Sequence, residues 1–380
     1  MEYKRLGDIA TYINGYPFKP EDRGSEGLPI IRIQDLTGNS YDLGFYSGEY
    51  PARIEVNVGD VLISWSASLG VYVWDRGKAL LNQHIFKVVF DKEEVNKDFF
   101  VFAVRHKLKE MESKTHGATM RHIIKKDFDN TTIPFPSLEK QAEIADILSI
   151  VENVIVSRQQ ELSALDDLIK ARFVEMFGDL MENPFEWPVM KISDISTFLK
   201  SGLSRKLSDD DIGIPVIRSG NIQNSQFIYD EVKYWYVDDP QGANTKDYVL
   251  DDGDILINFI NSLSQIGKTA VFRDVGRDCI YTTNIFRMKL AENCNEYYYN
   301  WYAMSDYYYR HLRSIIQPAV NQASFTTVNF LKLPIPLPPI ARQEEFAHFV
   351  KQVDKSKLVL NRAINEAQIL FDSLMQQYFN

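Results

Sequence analysis

Cysteine is almost missing from this chain: Cys279 and Cys294 are the only two in 380 residues. With no histidine nearby to complete a ligand pair, a disulfide framework and a Cys/His zinc site are both excluded, and a reducing compartment is expected. Histidine is scarce as well. His84, His106, His116, His122, His311 and His348 show no metal-ligand spacing with cysteines or carboxylates. No run of eighteen apolar residues occurs, and no apolar signal segment follows Met1-Glu2-Tyr3-Lys4-Arg5, so no membrane span and a cytoplasmic location are expected. Nucleotide-binding loops are missing too. Gly267-Lys268-Thr269 ends like a phosphate loop, but Ser262 stands where the first glycine is required, and Ala270-Val271-Phe272 reads as strand, not helix. Asn183-Pro184-Phe185 lacks the second proline of the amino-methyltransferase motif Asn-Pro-Pro-aromatic. No residue qualifies as catalytic, and a chain that is not itself an enzyme is the expectation.

The most informative absence lies between Ser137 and Phe177, where neither proline nor glycine occurs. Ile144, Leu148, Val151, Ile155, Arg158, Leu162, Leu165, Ile169, Arg172 and Met176 are spaced alternately four and three apart. This heptad seam is interrupted only by the two arginines and predicts one long helix. Ser137 is placed to cap it, Glu139 and Glu143 suit the positive end of its dipole, and Gly178 stands where a left-handed residue ends a helix. The pattern returns 202 residues later. Ile133-Pro134-Phe135-Pro136 becomes Ile335-Pro336-Leu337-Pro338, Gln141 and Glu143 become Gln343 and Glu345, and a second seam follows. That seam runs through Phe346, Val350, Val353, Lys357, Leu360, Ile364, Ala367, Phe371, Leu374 and Tyr378. Two such helices are expected to pair as an antiparallel coiled coil. Arg158, Arg172 and Lys357 then set register or touch a partner protein.

The remaining sequence repeats in the same order. Leu6-Gly7-Asp8-Ile9 matches Ile192-Ser193-Asp194-Ile195, each opening a short helix. Pro29-Ile30-Ile31-Arg32 matches Pro215-Val216-Ile217-Arg218, and Gly59-Asp60-Val61-Leu62-Ile63 matches Gly253-Asp254-Ile255-Leu256-Ile257, all strand-like. Ile85 to Val88 matches Ile285 to Met288, and amphipathic helices are read over 99–108 and 297–312. The offset between copies drifts from 186 to 202, so the copies share a scaffold and differ in loops, where recognition usually resides. The expected fold is α+β. Two globular domains, 1–132 and 179–332, alternate with long helices over 133–178 and 333–380, giving a pseudo-twofold dumbbell.

A net charge of −10 seems to argue against a nucleic-acid partner, but it is unevenly placed. Residues 1–137 carry 18 basic against 19 acidic residues, whereas 138–180 carry 4 against 9. Between Lys97 and Lys126, eight basic residues face three acids, a local positive field suited to phosphates.

Together, the doubled Pro-x-Pro turn, the Gln-x-Glu that follows it, the heptad helices and the paired strands resemble the specificity subunit of type I restriction-modification systems, over essentially the whole chain. The resemblance implies a DNA-binding, non-catalytic subunit. Each globular part would be a target recognition domain reading half of a split duplex site, and the helices would fix the gap and dock two methylation subunits. Restriction subunits would complete the assembly. S-adenosylmethionine, ATP and Mg²⁺ would then belong to those partners, with no cofactor in this chain. A coiled-coil scaffold whose globular ends bind proteins is the alternative, and an enzyme of unknown class a third.

Two loop sets qualify for base contact, since readout needs donors on loops. One precedes each Pro turn: Lys114, His116, Thr119, Arg121 and His122 in the first half, and Gln317, Asn321, Gln322 and Ser324 in the second. The other follows the Gly-Asp strands: Ser64, Trp65, Ser66 and Ser68, with Asn258, Asn261 and Gln265. Lys125 and Lys126 are expected at phosphates. The pre-turn loops could equally be mere turns feeding the long helices.

Overall fold

The computed structural model describes residues 2–38, 44–114, 123–223, 225–319 and 322–380. It divides into two compact units, Met1–Gln160 with Asn361–Asn380, and Glu161–Leu360.

The first unit is built on an antiparallel sheet ordered Thr11–Asn14, Ile85–Val89, Val61–Ser64, Gly70–Val73. A second sheet, ordered Phe45–Tyr46, Leu28–Ile31, Ala79–Leu81, Glu55–Val56, pairs Leu28–Ile31 in parallel with Ala79–Leu81. Burial separates two cores. Leu62, Ile85 and Trp74 join the second sheet, whereas Ile63, Phe86 and Val88 face the helix Lys97–Lys114 and the start of the long helix. This is the alternation that a strand imposes on neighbouring side chains.

The second unit repeats this order with its own residues. Its main sheet runs Ser196–Ser201, Ile285–Leu290, Ile255–Asn258, Thr269–Val271, and Ile214–Ile217 again lies parallel to Ile280–Tyr281. Here the periodicity of 297–312 is broken. The stretch folds as two helices, Glu296–Tyr302 and Asp306–Arg313, because the Ser305 hydroxyl accepts the Tyr308 N–H at 3.2 Å and starts a new helix. Cap chemistry overrides the aromatic repeat.

Two glycines are required by backbone approach rather than by turns. A Cβ on Gly15 would stand 2.1 Å from the Asn82 carbonyl oxygen, and one on Gly202 would stand 2.0 Å from that of Tyr281.

The long helices span Leu138–Phe177 and Ile340–Phe379. Ser137 accepts the Lys140 N–H at 3.4 Å, and Gly178 closes the first helix at φ 77°, its N–H on the Val174 carbonyl. In the first unit Ile144, Leu148, Val151 and Ile155 share a core with Ile364, Ala367, Phe371 and Met375. In the second unit Leu165, Ile169 and Phe173 share one with Phe346, Val350 and Val353. Leu162 and Leu360 are half-buried. Within the second unit the helices run antiparallel, Asp166 facing Lys357 and Arg172 meeting Glu345 at 3.0 Å.

The buried stripe departs from the heptad near the end of the second helix. Phe371, Met375 and Phe379 are buried, spaced four apart, while Leu374 and Tyr378 are half-buried. The cause is the helix Lys97–Lys114, whose Phe102 and Phe99 rings approach Phe371 and Phe379 at 6.0 and 5.3 Å. A face that must cover a globular domain is wider than a seam between two helices.

Candidate nucleic-acid interface

In each unit a buried amide joins the globular part to its long helix. Gln141 has no exposed surface; its Oε1 accepts the Asn96 N–H at 2.9 Å and its Nε2 donates to the Pro136 carbonyl at 2.9 Å. Gln343 does the same, accepting from Asn295 N–H at 2.9 Å and donating to Pro338 and Asn293 carbonyls at 2.7 and 3.1 Å. The polar echo between the helices is therefore a clamp. It holds the start of the helix at 97 or 296 against the Pro turn.

In both units the residue shortly before the Pro turn meets the one that follows the Gly-Asp strand. The Ile123 N–H donates to the Trp65 carbonyl at 3.0 Å, and the Phe325 N–H donates to the Phe259 carbonyl at 3.2 Å. Each acceptor residue carries an aromatic ring stacked on a sheet phenylalanine, Trp65 on Phe86 at 5.7 Å and Phe259 on Phe286 at 3.6 Å. In the second unit the convergence is a small sheet, in which Ile260–Asn261 pairs with Ala323–Ser324, and that strand with Gln317–Pro318. Asn261, Gln317 and Ser324 thus lie on adjoining strands, and Gln317 and Gln322 are exposed.

The side chain of Lys114 and the residues His116, Thr119, Arg121, His122 and Asn321 lie outside what is described. Asn258 and Ser66 are buried, Asn258 with no exposed surface and no partner for its amide among the described residues, so neither presents a donor to a duplex here. Ser68 is exposed, and its carbonyl accepts the Ser64 hydroxyl. The positive field of 97–126 is weaker than a count of charges implies. Arg105 meets Glu152, Lys107 meets Glu110 at 3.1 Å, Lys109 meets Asp372 at 3.4 Å and Lys125 meets Asp129 at 2.7 Å. Lys126 is exposed with no such partner among the described residues.

In the second unit Asn261 and Gln265, both candidates in the sequence, line a cleft of about 400 Å³ with Lys268 and with Ser219, Gly220, Ile222 and Gln223, which the sequence did not single out. Lys268 is the residue of the failed phosphate loop, and the strand Thr269–Val271 does follow it. The two cysteines are buried, and burial pushes the Cys279 thiol up to about 11, which leaves it unreactive. Among the described residues no cluster of three His, Cys, Asp or Glu side chains could hold a metal, and no helix is long and apolar enough to cross a membrane.

The family model for the type I restriction modification DNA specificity domain matches this chain twice, over residues 1–166 and 184–368. The chain belongs to that family. Two tandem specificity domains therefore account for nearly all of its length. Among curated relatives, the MjaVIII type I restriction enzyme specificity subunit of Methanocaldococcus jannaschii is 26% identical over 376 residues, covering 93% of this chain and 86% of the relative. The EcoKI specificity subunit of Escherichia coli is 20% identical over 404 residues, covering 98% and 86%. In fold, the chain resembles the crystallised type I restriction-modification S subunit from M. genitalium, with a TM-score of 0.58 at 14% identity and coverage of 100% and 96%. A chain from a structural study of complex assembly in the type I system matches at a TM-score of 0.56 and 17% identity, covering 99% and 97%.

Proposed function

We propose that this chain is the DNA-specificity subunit of a type I restriction-modification complex, each recognition domain reading one half of a split duplex target. The observation that carries this reading is the duplicated corner. One scaffold occurs twice, and in each copy two segments distant in sequence are joined by a backbone hydrogen bond beside a stacked aromatic pair. In the second copy Asn261, Ser324 and Gln317 lie there on adjoining strands, and polar side chains at fixed positions are what base-edge readout requires.

The long helices are assigned the gap between half-sites and the docking of two methylation subunits. Both helices support a docking role by carrying exposed apolar side chains: Ile150, Val154, Leu168 and Val174 on the first, and Leu358, Val359, Ile369 and Leu370 on the second. Methyl transfer and cleavage are assigned to methylation and restriction subunits, which would hold S-adenosylmethionine, ATP and Mg²⁺.

Exchange of residues 1–132 for the matching unit of a relative tests the reading. Methylation mapped across a genome should change at one half-site only. A simultaneous change in both halves would refute two independent readers.

A further inference from the structure

The two units differ most where the loop leaves the Gly-Asp strand. In the first, Ser64 pairs with Gly70, so five residues form the connection. In the second, the Asn258 N–H donates to the Lys268 carbonyl, so nine do, and Lys268 occupies the register position of Gly70. Four residues have been added, and with them the short strand Ile260–Asn261, Gln265 and a cation. These additions line the cleft beside Gln223.

Lys268 is half-buried, and neither its ammonium nor the Gln265 amide has a partner among the described residues. Gln223 spends only its Nε2, on the Gly220 carbonyl at 2.9 Å, and keeps an oxygen to accept with. A backbone phosphate can be met by a single lysine, but it offers only acceptors and has no use for a free acceptor such as the Gln223 oxygen. This cleft holds one donor-only cation flanked by neutral amides, and donors and acceptors at fixed positions are the chemistry of base edges.

We infer that Lys268 is a specificity-determining residue of the second recognition domain, donating to the O6 and N7 acceptors of a guanine in the major groove, with Gln265 reading the adjoining base pair. An ammonium has three donors and no acceptor, so it suits the one base edge that offers two acceptors side by side, whereas an amide suits adenine N6 and N7. The inference rests on the DNA-reading function proposed above. It gives the failed phosphate loop a purpose, and it gives the first unit, with Gly70 in that place, no lysine contact of this kind.

The test uses the full chain assembled with its methylation subunits on a library randomised across both half-sites. Lys268→Ala should lower discrimination at one G·C pair of a single half-site by roughly tenfold or more. Lys268→Arg should retain the guanine, and Gln265→Ala should relax a neighbouring pair. Preference at the other half-site is the internal control for folding. Equal weakening on all sequences, with a salt dependence reduced by about one ion, would make Lys268 a phosphate contact and overturn the inference. Unchanged preference in Lys268→Ala would overturn it too. A wild-type complex with no sequence preference would instead remove the DNA-reading function itself.

Discussion

At the scale of single residues, the buried glutamines decide most. Gln141 and Gln343 are each enclosed, and each satisfies a backbone N–H and a proline carbonyl that would otherwise be orphaned. An unpaired buried backbone group costs about 1–3 kcal/mol, so Gln141→Ala should destabilise its unit by about 2–4 kcal/mol. Gln343→Ala should do the same to the other. Urea unfolding of the full chain reads this as an earlier transition confined to one unit, and a loss below about 0.5 kcal/mol would mean that the clamp is incidental. Both glutamines stand out in the sequence because they repeat at a polar position that packing does not demand. Their partners Asn96 and Asn295 repeat as well, but as caps whose Oδ1 accepts the Phe99 and Tyr297 N–H at 2.9 Å; the backbone donors that meet the glutamines leave no mark on residue identity. Gly15 and Gly202 are invisible for a similar reason: what excludes a side chain there is a carbonyl brought by a distant strand.

At the scale of elements, the seams were legible and their width was not. Periodicity sees the helix, but the burial of Phe371, Met375 and Phe379 follows from packing against Lys97–Lys114. The strands were legible where β-branched runs followed Gly-Asp. The two-residue strands Ile260–Asn261 and Ala323–Ser324 are too short for any period to register, and they are what joins the candidate loops. Two of the polar breaks in the seam have partners on the opposite helix. Lys357 faces Asp166 with its side chain 13% exposed, and Arg172 meets Glu345. Register is thus the role their contacts support. The double variant Arg172→Leu, Lys357→Leu should keep both units folded and leave the stoichiometry with methylation subunits unaltered by native mass spectrometry. Loss of a methylation subunit would instead make these side chains partner contacts.

At the scale of the whole molecule, the proposed spacer role makes a dimensional prediction. One heptad inserted after Leu162 and another after Ile364 keeps each seam in phase and lengthens each helix by about 10 Å at 1.5 Å per residue. That is near three base pairs of B-DNA at about 3.4 Å each, over which the duplex also turns by roughly 100°. Methylation of a library with graded gaps should therefore move to longer gaps at reduced efficiency, or vanish. Unreduced methylation at the original gap alone would leave the helices as docking surface only. The organisation of each specificity domain also bears on how new specificities arise. In the first unit Tyr3–Arg5 pairs antiparallel with Thr132–Pro134, and in the second Val189–Lys191 pairs with Pro334–Pro336. The chain thus leaves each domain beside the point where it came in, stitched by three residue pairs, so the domain behaves as a cassette on a fixed backbone. Two gene crossovers at these stitches would import a foreign reader whole, and the glutamine socket would seat it without any compensating change in the helices.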